Sequence, residues 1–274
     1  GGSGDQLNLS NKSGEIHIDT WDRNEVSVVI KITAWGRNDA DAKENLNRVE
    51  IKHEKSGKDI TFLTDIEERK HSNRNNKSGF EVNYEVKMPK TLKLDLTNKF
   101  GDVYIAEHAA DLYVKVQHGE FKAGELISEK QDINISFGEV DIKALGSGEL
   151  RVRHGECTIG KAQNLEADIQ FGAFSIEEVN KLEIDIKHGS LEIEAVEELI
   201  AEVGFGSVEI GKITKSALIE TQHGSCEIDK LEKTDVEEFK FYNYEEKYRP
   251  IVLLAGALLL FGLILRFTIF RSFV

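Results

Sequence analysis

Eight dipeptides recur along this chain at nearly even spacing: Phe100-Gly101, His118-Gly119, Phe137-Gly138, His154-Gly155, Phe171-Gly172, His188-Gly189, Phe205-Gly206 and His223-Gly224. The steps between them are 18, 19, 17, 17, 17, 17 and 18 residues, and Phe alternates with His without a miss. A fixed period marks a stack of similar units, each touching only its neighbours. Three and five residues after each ring the chain places apolar side chains, as in Val103 and Ile105, Val140 and Ile142, or Leu191 and Ile193. Apolar residues at every second position are strand periodicity. Each unit therefore reads as two short strands joined at a glycine, which takes positive φ without a Cβ penalty. The pattern predicts a mostly β protein built on a parallel β-helix.

Two coil lengths satisfy the period. With one unit per coil, Phe and His alternate within a single column. With two units per coil, Phe100, Phe137, Phe171 and Phe205 form one column and His118, His154, His188 and His223 another. Like side chains in register pair well, so strict alternation favours the long coil. On that coil Cys157 and Cys226 lie two levels apart with Leu191 between them. At about 4.8 Å per level they are roughly 10 Å apart, beyond the reach of a disulfide, about 7 Å between Cα atoms. Two free, buried thiols are expected.

The chain carries 35 Lys and Arg against 49 Asp and Glu, a net charge of −14. That excludes nucleic acid as a partner, since phosphate binding needs clustered cations. The acids are spread through the repeats and serve solubility. Two prolines in 274 residues suit a chain of paired strands.

Residues 1–4 (GGSG) read as a linker or a cloning scar. Residues 5–90 form a strand-rich N-terminal section that covers the open end of the stack. Ser13-Gly14, followed by Ile16 and Ile18, is an atypical first unit, and Asp39–Val49 is a short helix with acids in its first turn. The polar, Asn-rich stretch 67–78 reads as a hairpin loop. Residues 91–230 are the regular solenoid.

The repeat then stops. Residues 231–249 read as a juxtamembrane segment whose aromatics suit an interfacial belt. Residues 250–270 read as a transmembrane helix opening at Pro250, with Leu253, Leu259, Phe261 and Leu265 in lipid and Arg266 snorkelling to the headgroups. Residues 271–274 are a short basic tail. The lipid bilayer is thus an expected partner, with the C-terminus in the cytoplasm and the solenoid periplasmic or extracellular. That orientation requires a signal peptide removed from this chain.

Several stretches resemble a known family. LNLSNKSGEIHIDTWDRNEVSVVIKI, VNYEVKMPKTLKLDLTNKFGDVYI and the repeated glycine-corner units are similar to adhesin-like domains of unknown function in bacterial envelope proteins, the auto-transporter adhesin type. The resemblance spans roughly residues 5–230. It implies a right-handed parallel β-helix at the cell surface or in the periplasm, with no established enzymatic activity and no catalytic residues to carry over. The tail from Phe239 weakly resembles the membrane anchor of bacterial von Willebrand-type aerotolerance proteins.

The columns carry the candidate chemistry. A vertical row of imidazoles offers one ligand per level, whereas a metal ion needs three or four converging on one point. The His column is therefore expected to be structural, with no metal and no cofactor. The Phe column would be a sugar-stacking platform if it faced outward, but four exposed phenyl rings leave an apolar stripe, so core packing is expected. After the glycines come Asp102, Glu120, Glu139 and Glu156, then Ala173, Ser190, Ser207 and Ser225. Paired carboxylates serve glycoside hydrolysis, and Glu120 and Glu156 would be neighbours on the long coil. The fading of acid to Ser favours a solvated face. The expected function is a non-enzymatic, membrane-anchored envelope solenoid, an adhesin-like structural or binding module for a surface glycan or an envelope protein. The alternatives are a polysaccharide-binding or polysaccharide-cleaving β-helix and a periplasmic sensor.

Overall fold

The structure is a computed structural model that describes residues 5–67, 78–231 and 238–243. The compact unit that holds the fold spans Gly1–Tyr242. Its coil is the short one. Leu9 lies opposite Leu96, then Val114, Ile133, Leu150, Ala167 and Ile184 follow in one parallel column. Ile16, Val103, Phe121, Val140, Cys157 and Phe174 form a second. The residues after Phe and those after His therefore interleave in one core column. One level is one unit of 17 to 19 residues.

Each level has two sides. On one, strands β6 (Gly79–Met88), β2 (Ile16–Thr20), β8 (Val103–His108), β10 (Phe121–Leu126) and the start of β12 (Val140–Arg153) follow in order. On the other, β5 (Asp59–Ile66), β1 (Gln6–Asn11), β7 (Lys93–Asn98), β9 (Leu112–Gln117), β11 (Gln131–Ser136) and the end of β12 do so. From β12 onward the bends between sides are smooth, and β13 (Gly155–Ile169) and β14 (Gly172–Leu231) run on through several corners. Alternate residues point inward, and the core is mainly Leu, Ile and Val. Burial of this apolar surface, about 25 cal/mol per Å², drives the winding.

The N-terminal section is threaded rather than merely stacked. The first coil, β1 and β2, sits between the β5–β6 level and the β7–β8 level. The chain travels outward from β2 to β3 (Ser27–Trp35), crosses through helix α1 (Asp39–Asn47) to β4 (Val49–Ser56), and returns. β3 and β4 pair antiparallel with β6 and β5, which ends the parallel stack with strands of opposite sense. Asn38 caps α1 by accepting the Asp41 N–H at 2.9 Å, and the buried Asn45 donates to the Trp35 carbonyl at 2.7 Å.

Two sequence expectations are corrected. The long coil fails because phenyl and imidazole rings are both flat and stack on one another, so like need not lie on like. The transmembrane helix is not part of the fold class found. Among the described residues no helix is long and apolar enough to cross a membrane, α1 being nine residues. The stretch from Pro250 through Leu253, Leu259, Phe261 and Leu265 to Arg266 lies outside the described residues. Residues Glu238–Asn243, read as juxtamembrane, form strand β15, which pairs with β14. Cys157 and Cys226 are both free, the first buried and the second half-buried. On the short coil they stand four levels apart, about 19 Å.

Candidate functional site: an exposed ladder of rings

The eight rings form one ladder on the outside of the solenoid. From Phe100 through His118, Phe137, His154, Phe171, His188 and Phe205 to His223, successive centroids are 4.7–5.1 Å apart and the planes lie within 2–19° of parallel. The Lys99 ammonium stands 5.4 Å from the Phe100 centroid, on the ladder's first ring. Phe100, Phe137, Phe171 and Phe205 are 46–53% exposed. The expected burial of the Phe column in the core is therefore wrong. Stacking supplies the reason: each ring hides its faces against its neighbours, so only the edges meet water.

The glycines behind the rings are set by space. Nine of them, from Gly14 and Gly101 to Gly224, form a column. A Cβ on Gly101 or any later member would fall inside the carbonyl oxygen of the glycine one level below. Positive φ is a lesser matter. At Gly101 the glycine carries it (124°), but in the next three levels the ring residue does: His118 at 53°, Phe137 at 59° and His154 at 56°. A bulky side chain in this region costs about 1–2 kcal/mol. The glycine is thus required at every level because the backbones touch, whichever residue makes the turn.

Beneath the first corners, amides tie the backbone. Asn98 donates from Nδ2 to the carbonyls of Gly14 and Gly101, both at 2.9 Å, and Asn11 donates to Val82 at 2.9 Å. Higher in the column Val116 replaces them. His108 and Gln131 are further buried polar groups of these coils, and His108 stands apart. It is 1% exposed, in line with Leu126, Leu145, Ala162 and Val179, and the Asp111 backbone is the polar neighbour of its ring. Burial holds its pKa below the ordinary imidazole value, partly offset by Asp111.

Successive imidazoles of the ladder lie two steps of about 4.9 Å apart with a phenyl between them. Zinc–nitrogen bonds are about 2 Å, so two such rings cannot share an ion. Among the described residues no group of three His, Cys, Asp or Glu is placed to hold a metal ion. Glu120 and Glu156 are not neighbours either, because the short coil inserts Glu139 between them. Glu120 is engaged by Lys122 at 2.6 Å, and its backbone N–H donates to Asp102 at 2.8 Å. The pair raises the Lys122 pKa through the hydrogen bond to Glu120 and its charge.

A shallow groove of about 650 Å³ lies over Gly155, Gly172, Gly189 and Gly206 and is lined also by His154, Glu156, Ala173, Ser190 and Ser207. Sequence reasoning named these residues but missed the groove, because the long coil put them in separate columns. It also missed a hollow of about 930 Å³ at the N-terminal section around Trp21, over whose ring the Arg23 guanidinium lies at 5.0 Å. The segment WDRNEV was the available signal there.

No protein-family model matches the sequence, and no curated protein matches it. Among solved structures it is similar to a candidate cell adhesion protein from Clostridium sporogenes, at 14% identity over 87% of this chain and 93% of that one, with a TM-score of 0.27. A likeness of that size says nothing about what this chain does.

Proposed function

We propose that this protein is a non-catalytic β-solenoid of the cell envelope, an adhesin-like rod that binds through its flank. The observation that carries the reading is the exposed ring ladder. Four phenyl rings stand half in water in one stack with the imidazoles between them, and an exposed apolar surface of that kind marks an interaction site. The placement in the envelope rests on the sequence resemblance. The carboxylates after the glycines stand in a periodic row, with Glu120 held by Lys122, which suits a solvated wall.

The test is to mix the full chain with purified cell-envelope polysaccharide, then measure retention by sedimentation and cleavage by release of reducing ends. Retention without release is expected. Release that disappears in Glu120→Gln or Glu156→Gln would establish the polysaccharide-cleaving reading in its place.

A further inference from the structure

We infer that the ring ladder docks a second copy of this chain, ladder to ladder, with the two running in the same direction and in register. This deepens the binding-module reading, on which it rests, by naming the partner. Charge gives the first argument. Of the eight residues directly before the rings none is an acid, and Lys99, Arg153 and Lys187 are cations. Of the eight directly after the glycines none is a cation, and Asp102, Glu120, Glu139 and Glu156 are acids. Each flank is a column of its own, Ser136 in line with Arg153 on one and Glu156 with Ala173 on the other. A two-fold axis along the ladder sets the cationic flank of each copy against the acidic flank of the other. Lys99 then meets the partner's Asp102, and Arg153 meets the partner's Glu156. Glu120 and Glu139 meet the partner's Gln117 and Ser136, so no like charges oppose. Arg153 and Glu156 are both exposed, and among the described residues neither enters an ion pair within its own chain. Both charges are open to a partner.

The rings give the second argument, and they fix the direction. The outer edge of a phenyl ring is carbon, whereas that of an imidazole carries Nε2. Paired in register, the half-exposed edges of Phe100, Phe137, Phe171 and Phe205 meet their own copies and leave water together. The imidazole edges also meet their own copies, and one N–H donates to the bare nitrogen opposite. Eight alternating rings read backwards would set every phenyl against an imidazole and bury its nitrogen against carbon. The backward pair would also set each flank against itself and form no ion pair.

Size gives the third. The strip is roughly 34 Å long, seven steps of about 4.9 Å, and about 10 Å wide from the residue before the ring to the residue after the glycine. That is less than half of the about 800 Å² that each partner gives to a standard interface. The pairing is therefore weak and reversible.

The experiment follows the full chain by sedimentation velocity over a micromolar to millimolar concentration series. A concentration-dependent dimer is expected. Arg153→Glu and Glu156→Arg each set like charges across the pair, and each should weaken Kd by about tenfold or more. An equimolar mixture of the two variants should pair about as tightly as the parent, because each supplies the charge that the other then needs. Lys181→Glu, off the strip and in line with Asn164, changes the net charge as Arg153→Glu does and should leave Kd unchanged. A chain that stays monomeric, a dimer indifferent to the Arg153 and Glu156 variants, or a mixture no tighter than its components would overturn the pairing. If the chain stays monomeric and envelope polysaccharide retains it, the pairing fails and the binding-module reading stands. If it neither pairs nor is retained, both readings fall.

Discussion

The lower and upper coils build the same ladder with different backbones. In the lower coils three ring residues, His118, Phe137 and His154, take positive φ. The core there holds Asn98, His108 and Gln131, and acids line the wall after the glycines. In the upper coils the rings avoid positive φ, the core is apolar until Thr221, and the wall is Ala and Ser. The ring spacing stays at 4.7–5.1 Å throughout. What both halves share, a ring followed by a glycine, is therefore what the stacking requires. What differs is free to serve something else.

The largest effect should come from the shared part. Gly172→Ala places a methyl inside the Gly155 carbonyl oxygen, and denaturant unfolding should show a loss of more than about 3 kcal/mol. Gly57→Ala is the control: Gly57 has φ +63° but open space around its Cβ position, so it should lose only about 1–2 kcal/mol. Equal losses would mean that the backbone contact is not what selects the glycines.

Next is the buried polar group of the lower coils. His108→Leu continues the apolar column of Leu126 and Leu145 and removes an imidazole that burial desolvates. It should stabilise the protein by about 1–3 kcal/mol at neutral pH. The folded pKa of His108 lies below its unfolded value of about 6.5. The native state thus binds fewer protons than the unfolded chain. Stability is full above about pH 6.5 and is lost as pH falls through the depressed folded value. Unfolding curves measured across this window should show that loss in the parent and a smaller one in His108→Leu.

A smaller effect separates the two kinds of corner. Phe137→Gly and Phe171→Gly each remove a stacked ring, worth about 1 kcal/mol, but Phe137→Gly alone relieves a positive φ. It should be milder by about 1–2 kcal/mol in unfolding free energy. The reverse order would remove the distinction between the halves. Least disruptive is a thiol count. Burial pushes both thiols up, Cys157 far more than Cys226, so a thiol reagent should label Cys226 in the native protein and Cys157 only after unfolding.

The sequence made the solenoid, its corners and its core positions legible, because alternation around a glycine at a fixed step has few solutions. The helix at Asp39 was legible from its first-turn acids. Coil length was not, since Val103, Phe121, Val140 and Cys157 satisfy one column as well as two. The error carried the phenyl rings to the wrong side: a column of Phe alone reads as core, whereas one mixed column closes its own faces and can stand in water. The threading of β1 and β2 between later strands was invisible for another reason. Ser13-Gly14 looks like any terminal unit, and nothing local says that β5 and β6 return beyond it.

The account stands on one ladder with one ring per level, and ring-to-ring nuclear Overhauser effects test it directly. Contacts from Phe171 to both His154 and His188 are expected, with none between the two imidazoles. Direct contacts between His154 and His188, together with contacts between Phe137 and Phe171, would restore the long coil and contradict the structure described.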